Sequence, residues 1–481
     1  MACKVQPFID KINKTQGDFI MKKKELDALK KELLFKRETL TAKNGGEKVS
    51  QYAEGYKGFI DGSKTEREAV EYTIQILEKS GYKPFNFGDA LKKGGKYYLN
   101  NRGKSICAFR IGQNNLEQGV KIVGAHIDSP RLDLKQNPLY EQNDMAFLKT
   151  HYYGGIRKYQ WTTVPLALHG VLIKGDGTTV KVNIGDDKDD PILCITDLLP
   201  HLAAEQSQKP LATAFKGEGL NILIGTDAID EDADKAVKLN VLNILNQKYG
   251  ITEKDFISAE LCAVPALNAR DLGLDRSLIA AYGHDDRVCA YPALTAFLES
   301  EKSLSTCLCI LADKEEVGSD GVTGSQCSIF YDLLDEICHH FGANRNKVKM
   351  NSVCLSADVT AAFDPLYSDV YEKNNSTYIN GGVAICKYTG SRGKSGTSDA
   401  SAELVGKIRA IMDKNGIVWQ TGELGRVDAG GGGTIAKYVA NQNIDTIDVG
   451  VPVLSMHSPM EVISKKDIYE THKAFKCFYL D

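Results

Sequence analysis

The feature that most constrains this chain is a repeated one. Five apolar runs, each about the length of a buried strand, end in a histidine or a carboxylate. They are KIVGAHIDSPRLD (121–133), LIAAYGHDDRV (278–288), CLCILADKEEVGS (307–319), SVCLSADVT (352–360) and DVGVPVLSMHSPME (448–461). Runs that are apolar at successive positions suit strands covered on both faces, which requires helices between them. Helical stretches do alternate with the runs. TEREAVEYTIQILEKS (65–80) carries a Thr65–Glu68 capping box and stops at Gly81. Further helices are expected near 287–300, 325–342 and 399–413 and at the C-terminus. The pattern is α/β, with a mixed central sheet flanked by helices.

Between residues 136 and 270 the texture changes. WTTVPLALHGVLIKGDGTTVKVNIGDD alternates around a Gly-Asp-Gly turn and reads as a β-hairpin, and DAIDEDADKAVKLNVLNILNQKYG reads as a charged helix. The expected organisation is an α/β domain of residues 1–135 and 271–481 that carries an inserted β-rich domain, 136–270.

The net charge of −4 gives no footprint for nucleic acid or membrane, and no run reaches the roughly 18–20 apolar residues of a membrane span. The N-terminus, MACKVQPFIDKINKTQGDFIMKKKELDALKKELL, lacks a signal-peptide core and reads as charged helix. Twelve cysteines occur singly without C-x-x-C spacing, which suits free thiols in a reducing cytoplasm.

Taken one at a time, the strand tips have ordinary readings. His126 reads as a core histidine, Asp285–Asp286 as a helix cap with a first-turn acid, Glu315–Glu316 as a solvated strand end, and Asp358 as an Asx-turn acid. Their coincidence at the carboxyl ends of strands, where open α/β sheets bind ligands, points instead to one shared site. His126 and His457 with several carboxylates form a donor set for Zn²⁺, with Mn²⁺ or Co²⁺ as substitutes. A pair of ions bridged by one carboxylate would explain adjacent glutamates: Glu316 or Glu315 as a ligand, its neighbour free to take a proton from water.

The motifs GAHIDSPRLDLK, GHDDRV, DKEEVGS, SADVTAAFDP and SMHSPMEV, in this order, resemble those of the aspartyl aminopeptidase family of zinc aminopeptidases with two co-catalytic metals. The resemblance implies a three-layer zinc-exopeptidase fold and two Zn²⁺ per subunit. It implies His126 and Glu316 as ligands of different ions, Asp285 as the bridge, Asp358 and His457 completing the two sets, Glu315 as general base and Asp128 orienting His126. It also implies a cis peptide after the bridging aspartate and a hollow tetrahedral dodecamer of dimers paired through the inserted domain. The chain has Asp-Asp where the family often has Asp-Asn, so Asp286 stands as the alternative bridge. In the insertion, DLLPHLAAEQ offers His201 to a neighbouring subunit's site, with Glu205 where a second histidine is expected. His151 and His169 read as hairpin-surface or core residues. KYTGSRGKSGTSDA offers Arg392 or Lys394 to a first side-chain pocket.

The expected activity is removal of N-terminal residues from peptides through a metal-activated water. The alternatives are a carboxypeptidase or N-acyl-amino-acid amidohydrolase on the same site, and a non-catalytic oligomeric scaffold. DAGGGGTIAKYVA lacks the Lys-Ser/Thr of a phosphate loop, so its glycines read as close backbone approach to substrate rather than nucleotide binding.

Overall fold

The apolar runs do form strands, but not all in one sheet. The computed structural model describes residues 23–230 and 233–481. The chain divides into two units, residues 1–38 and 39–481. In the first, Lys23–Leu33 is helical; the earlier part of the expected N-terminal helix lies outside the described residues.

A nine-stranded mixed sheet has the order Lys83–Pro84, Lys96–Asn101, Ser105–Arg110, Cys307–Ala312, Lys121–His126, Val353–Ser356, Asp445–Gly450, Val383–Cys386, Trp419–Thr421. Its centre is parallel, from Cys307–Ala312 through Lys121–His126 and Val353–Ser356 to Asp445–Gly450. The carboxyl ends of these four strands therefore share one edge. Alternate side chains enter two cores, as pleating dictates. Val123, Ala125, Cys309 and Leu311 pack with Phe297 and Phe475, from the helices His284–Glu299 and Lys465–Leu480. Ile122, Leu308 and Ile310 pack with Leu333, Ile337 and Val348, from the helices Ile329–His340 and Arg345–Asn351. The helix Glu66–Lys79 starts from Thr65 with the expected capping box.

A second, six-stranded sheet is antiparallel throughout: Thr179–Ile184, Leu166–Ile173, Ala259–Pro265, Arg131–Gln142, Met145–Tyr153, Ile222–Gly225. The expected hairpin is its first pair. Its own core holds Leu132, Leu148, Trp161, Leu168 and Phe256. The charged helix starts later than expected, at Ala236, because Lys235 turns into the left-handed region at φ 54°.

A third sheet corrects the reading from sequence. LIAAYG supplies Leu278–Ala281, and the run 448–461 supplies Pro452–Leu454. Both belong to a five-stranded sheet with Arg270–Leu272, Glu461–Ser464 and Thr360–Ala361. Pro452 has no N–H to give to the central ladder, so the run breaks at Val451 and changes sheet.

Candidate metal centre

The five tips meet, three from the parallel centre of the large sheet and two from the small one. His126 closes its strand, Glu315 and Glu316 follow Cys307–Ala312 after Lys314, and Asp358 follows Val353–Ser356. Asp285 and Asp286 follow Leu278–Ala281, and His457 follows Pro452–Leu454. Lys314 and His457 are both left-handed, at φ 65° and 63°, an uncommon conformation for residues with a Cβ. The Asp285–Asp286 peptide bond is cis, and both residues depart from helical angles at the start of the helix His284–Glu299.

Asp285 lies between the two imidazoles. Its Oδ1 is 3.2 Å from His126 Nε2 and its Oδ2 is 3.1 Å from His457 Nε2. Glu316 Oε2 lies 3.5 Å from His457 Nε2, and Glu315 Oε2 lies 3.9 Å from His126 Nε2. Donor atoms of His126, Asp285 and Glu316 lie within 4.8 Å of one another, as do those of His126, Asp286 and Asp358. Asp286 Oδ2 also accepts the backbone N–H of His126 at 3.3 Å.

Two carboxylates behind the cluster hold it in shape. Asp128 is fully buried; its Oδ1 faces His126 Nδ1 at 3.3 Å and accepts Glu315 N–H at 3.1 Å, while its Oδ2 accepts Glu316 N–H at 3.2 Å. Glu461 accepts Asp285 N–H at Oε2 (3.1 Å) and His457 N–H at Oε1 (2.7 Å). Sequence reasoning missed Glu461, although it closes the SMHSPME motif four residues after His457. It also missed Tyr153, whose hydroxyl donates to Asp128 Oδ2 at 2.8 Å and whose sequence setting, HYYGG, gives no chemical signal.

Electrostatics show what the cluster is suited to hold. Burial drives the Glu315 carboxyl up to about 7, and the charges of Asp128 and Asp285 push the same way against His126. Burial, then Asp285, raises Glu316; burial, then Asp286, raises Asp358. Burial disfavours the charged form of His457, yet contact with Asp285 and Glu316 lifts it to about 10. So many acids resist joint ionisation unless positive charge lies among them. Glu316 Oε1 and Asp286 Oδ1 are buried with no hydrogen-bond partner among the described residues. Two imidazole nitrogens, crowded carboxylates and orphaned carboxylate oxygens fit divalent zinc.

A cleft of about 190 Å³ opens on Asp285, Glu315, Asp358 and His457 and is walled by Val359, Cys386, Leu424, Met456 and the glycines 431–433. At its base Asp448 is pushed up to about 6 by burial and accepts from Thr434 Oγ1 at 2.8 Å. Arg392 and Lys394 line an adjoining cavity of about 220 Å³ that shares Tyr388, Thr389 and Leu424 with the cleft. Lys394 pairs there with Asp399 at 3.0 Å and lies 3.8 Å over the Tyr388 ring. His201 is exposed on the short turn Pro200–Leu202 and lines neither cavity. His169 is buried between Glu68 and Asp186, and His151 is exposed.

A sequence model of the aminopeptidase I zinc metalloprotease (M18) family matches residues 59–479. A protein of Clostridium acetobutylicum described as a probable M18 family aminopeptidase 1 is 52% identical over 432 residues, 88% of this chain and 93% of that protein. A crystal structure of an M18 family aminopeptidase from Thermotoga maritima superposes with a TM-score of 0.90 at 44% identity, covering 93% of this chain and 99% of that one. The S. cerevisiae mApe1 dodecamer structure is 22% identical and shares the fold, with a TM-score of 0.74 over 90% of this chain and 97% of that one. The chain belongs to the aminopeptidase I (M18) family of zinc metalloproteases and is a metal-dependent aminopeptidase.

Proposed function

We propose that each subunit holds two zinc ions and removes the N-terminal residue of peptides in the cytoplasm. The observation that carries this reading is the placement of Asp285, with one carboxylate oxygen against each of the two imidazoles. In this arrangement Asp285 would be shared between the ions, His126 and Asp358 would help to hold one, and Glu316 and His457 would help to hold the other. Co²⁺ or Mn²⁺ would be accepted by the same donors. The chemistry supplied by bound zinc is Lewis acidity, which polarises the scissile carbonyl and makes water a better nucleophile near neutral pH. Glu315, beside His126, takes the proton of the attacking water at its carboxylate and delivers it to the leaving amine. Asp128 fixes the His126 ring and the backbone that carries Glu315 and Glu316.

The apolar cleft walls and buried Asp448 favour a neutral first side chain. Arg392 and Lys394 are near enough, through the adjoining cavity, to assist acidic ones. Residues 136–270 form an inserted domain for dimerisation and substrate access; a tetrahedral dodecamer is the assembly we expect, with His201 acting at a neighbouring subunit's site. In support, the S. cerevisiae relative of the same fold is a dodecamer, and the exposed Leu198, Leu199, Leu202 and Leu211 surround His201 in sequence.

The test separates the paired glutamates. Glu315→Gln keeps shape but removes the base, so kcat falls roughly 10²- to 10⁴-fold while zinc is retained. Glu316→Ala removes a ligand and empties one metal position. Metal content and kcat are measured together for both variants. Equal zinc loss in the two, or near-wild-type turnover of Glu315→Gln, refutes the division of roles.

A further inference from the structure

Both imidazoles depend on one short segment of the six-stranded sheet. Met145–Tyr153 ends at Tyr153 and is followed by Gly154-Gly155, and each of these three residues meets a different part of the metal centre. Tyr153 Oη donates to Asp128 Oδ2 at 2.8 Å, on the carboxylate that faces His126 Nδ1 and accepts the Glu315 and Glu316 N–H groups. Gly155 carbonyl oxygen accepts from His457 Nδ1 at 2.9 Å. Gly154 packs on Glu316: a Cβ there would stand 3.3 Å from both Cβ and Oε2 of Glu316, and its φ of 74° already disfavours any other residue.

The segment is itself firmly held. The Arg131 guanidinium lies 4.2 Å from the Tyr153 ring centroid, and Arg131 is paired with buried Glu66 at 2.8 Å and with Asp133 at 2.8 Å. Glu66 also pairs with Lys104 at 3.2 Å. The phenol is thus fixed on one side by a charged network on the helix Glu66–Lys79 and the strand Arg131–Gln142, and on the other by Asp128.

We infer that Tyr153–Gly155 is a positioning element of the metal centre: the six-stranded sheet sets the orientation of both zinc-binding imidazoles, His457 directly through Gly155 and His126 through Tyr153 and Asp128. The imidazole ligands of a metal are held by what their second nitrogen bonds to, and loss of such partners costs about 10- to 100-fold in metal affinity or activity. For His457 that partner is Gly155; for His126 it is Asp128, whose carbonyl oxygen lies 3.1 Å and whose Oδ1 lies 3.3 Å from Nδ1, and the Tyr153 hydroxyl that steadies the Asp128 carboxylate comes, like Gly155, from outside both ligand-bearing sheets. Zinc affinity therefore depends on a sheet that contributes no ligand.

The inference rests on the proposed ligand set, and its test keeps the two apart. Wild type, Tyr153→Phe, Gly154→Ala and the exposed control Tyr152→Phe are compared by chelator competition for zinc, by melting of the zinc-free protein, and by kcat and KM. Tyr153→Phe keeps the ring and its Arg131 contact, so it folds; only the hydroxyl is lost. The expected result is zinc affinity lowered about 10- to 100-fold and a reduced kcat with KM within about twofold of wild type. Zinc-free melting stays near wild type. Gly154→Ala also lowers zinc affinity, through Glu316, but with a drop in zinc-free melting from its left-handed backbone, and Tyr152→Phe matches wild type. Tyr153→Phe with zinc affinity and kcat within about twofold of wild type overturns the inference. A fall in zinc-free melting with unchanged affinity also overturns it, because the role is then packing. If wild type itself binds no zinc at this site, the ligand set fails and the inference falls with it.

Discussion

Glu461 gives the sharpest test of how the centre is held, because its two oxygens have separable work. Each accepts one backbone N–H, from Asp285 at 3.1 Å and from His457 at 2.7 Å, and the side chain is 1% exposed. Burial and then the Asp285 charge push its carboxyl up to about 8, while the two N–H donors favour the ionised form. Glu461→Gln preserves volume but offers a single acceptor, so its amide nitrogen must face one of the two N–H groups. An unpaired buried donor costs about 1–3 kcal/mol; Glu461→Ala, which strands both, costs about twice that. Against a typical stability of about 5–15 kcal/mol either variant still folds in part. The stranded N–H groups belong to Asp285 and His457, so under the proposed ligand set the cost falls on two ligands. Each 1.4 kcal/mol is about tenfold in binding, so zinc affinity should drop roughly 5- to 150-fold in Glu461→Gln. The assay is chelator competition alongside melting of zinc-free and zinc-loaded protein, with a larger melting deficit expected in the loaded form. Unchanged affinity in Glu461→Gln, whatever happens to zinc-free melting, refutes the argument that Glu461 works through the two ligands.

Removing both Arg392 and Lys394 side chains should lower kcat/KM for acidic N-terminal residues by about 2- to 30-fold, as two exposed charge pairs contribute about 0.2–1 kcal/mol each, and spare neutral substrates; an unchanged acidic-to-neutral ratio excludes both from substrate reading. The native enzyme should scatter light as a large oligomer, and a stable, fully active monomer would contradict pairing through residues 136–270. His169 is lifted to about 9: burial opposes its charge, but Asp186 and Glu68 outweigh burial. A raised histidine stabilises fully below its unfolded value near 6.5 and loses that contribution as pH rises through about 9. His169→Gln should therefore flatten the alkaline limb of stability between those values, by up to about 3 kcal/mol; an identical pH profile in denaturant melts would remove His169 from the account.

Much of the centre was legible because its residues end apolar runs, and strand ends can be read locally. His126 ends a strand of the large sheet, and Glu315, Glu316 and Asp358 follow others, as their runs suggested. What a run cannot encode is its partner. Leu278–Ala281 is as apolar as its counterparts yet pairs antiparallel with Glu461–Ser464, and Pro452 moves the last run into the same small sheet. Glu461 and Tyr153 were illegible for a related reason. Tyr153 bonds to a residue 25 positions away and Glu461 to one 176 positions away; only the Glu461 contact with His457, four residues back, is local, and by itself it reads as an ordinary turn.

The origin of the ligands in two sheets also bears on how the enzyme comes into being. The donors run from residue 126 to residue 457, and the helix Lys465–Leu480 packs with His284–Glu299 behind Asp285. Contacts between segments so far apart along the chain form late, because loop closure must precede them. A growing polypeptide would carry His126, Asp285 and the glutamates well before it could gather them. Peptide hydrolysis would then switch on only after the segment that bears His457 has been made and folded, rather than while the chain is still exposed and extended. In refolding from denaturant, zinc-dependent turnover should return with the slowest phase of burial, and an early return would mean that the centre assembles before the sheets that bear it.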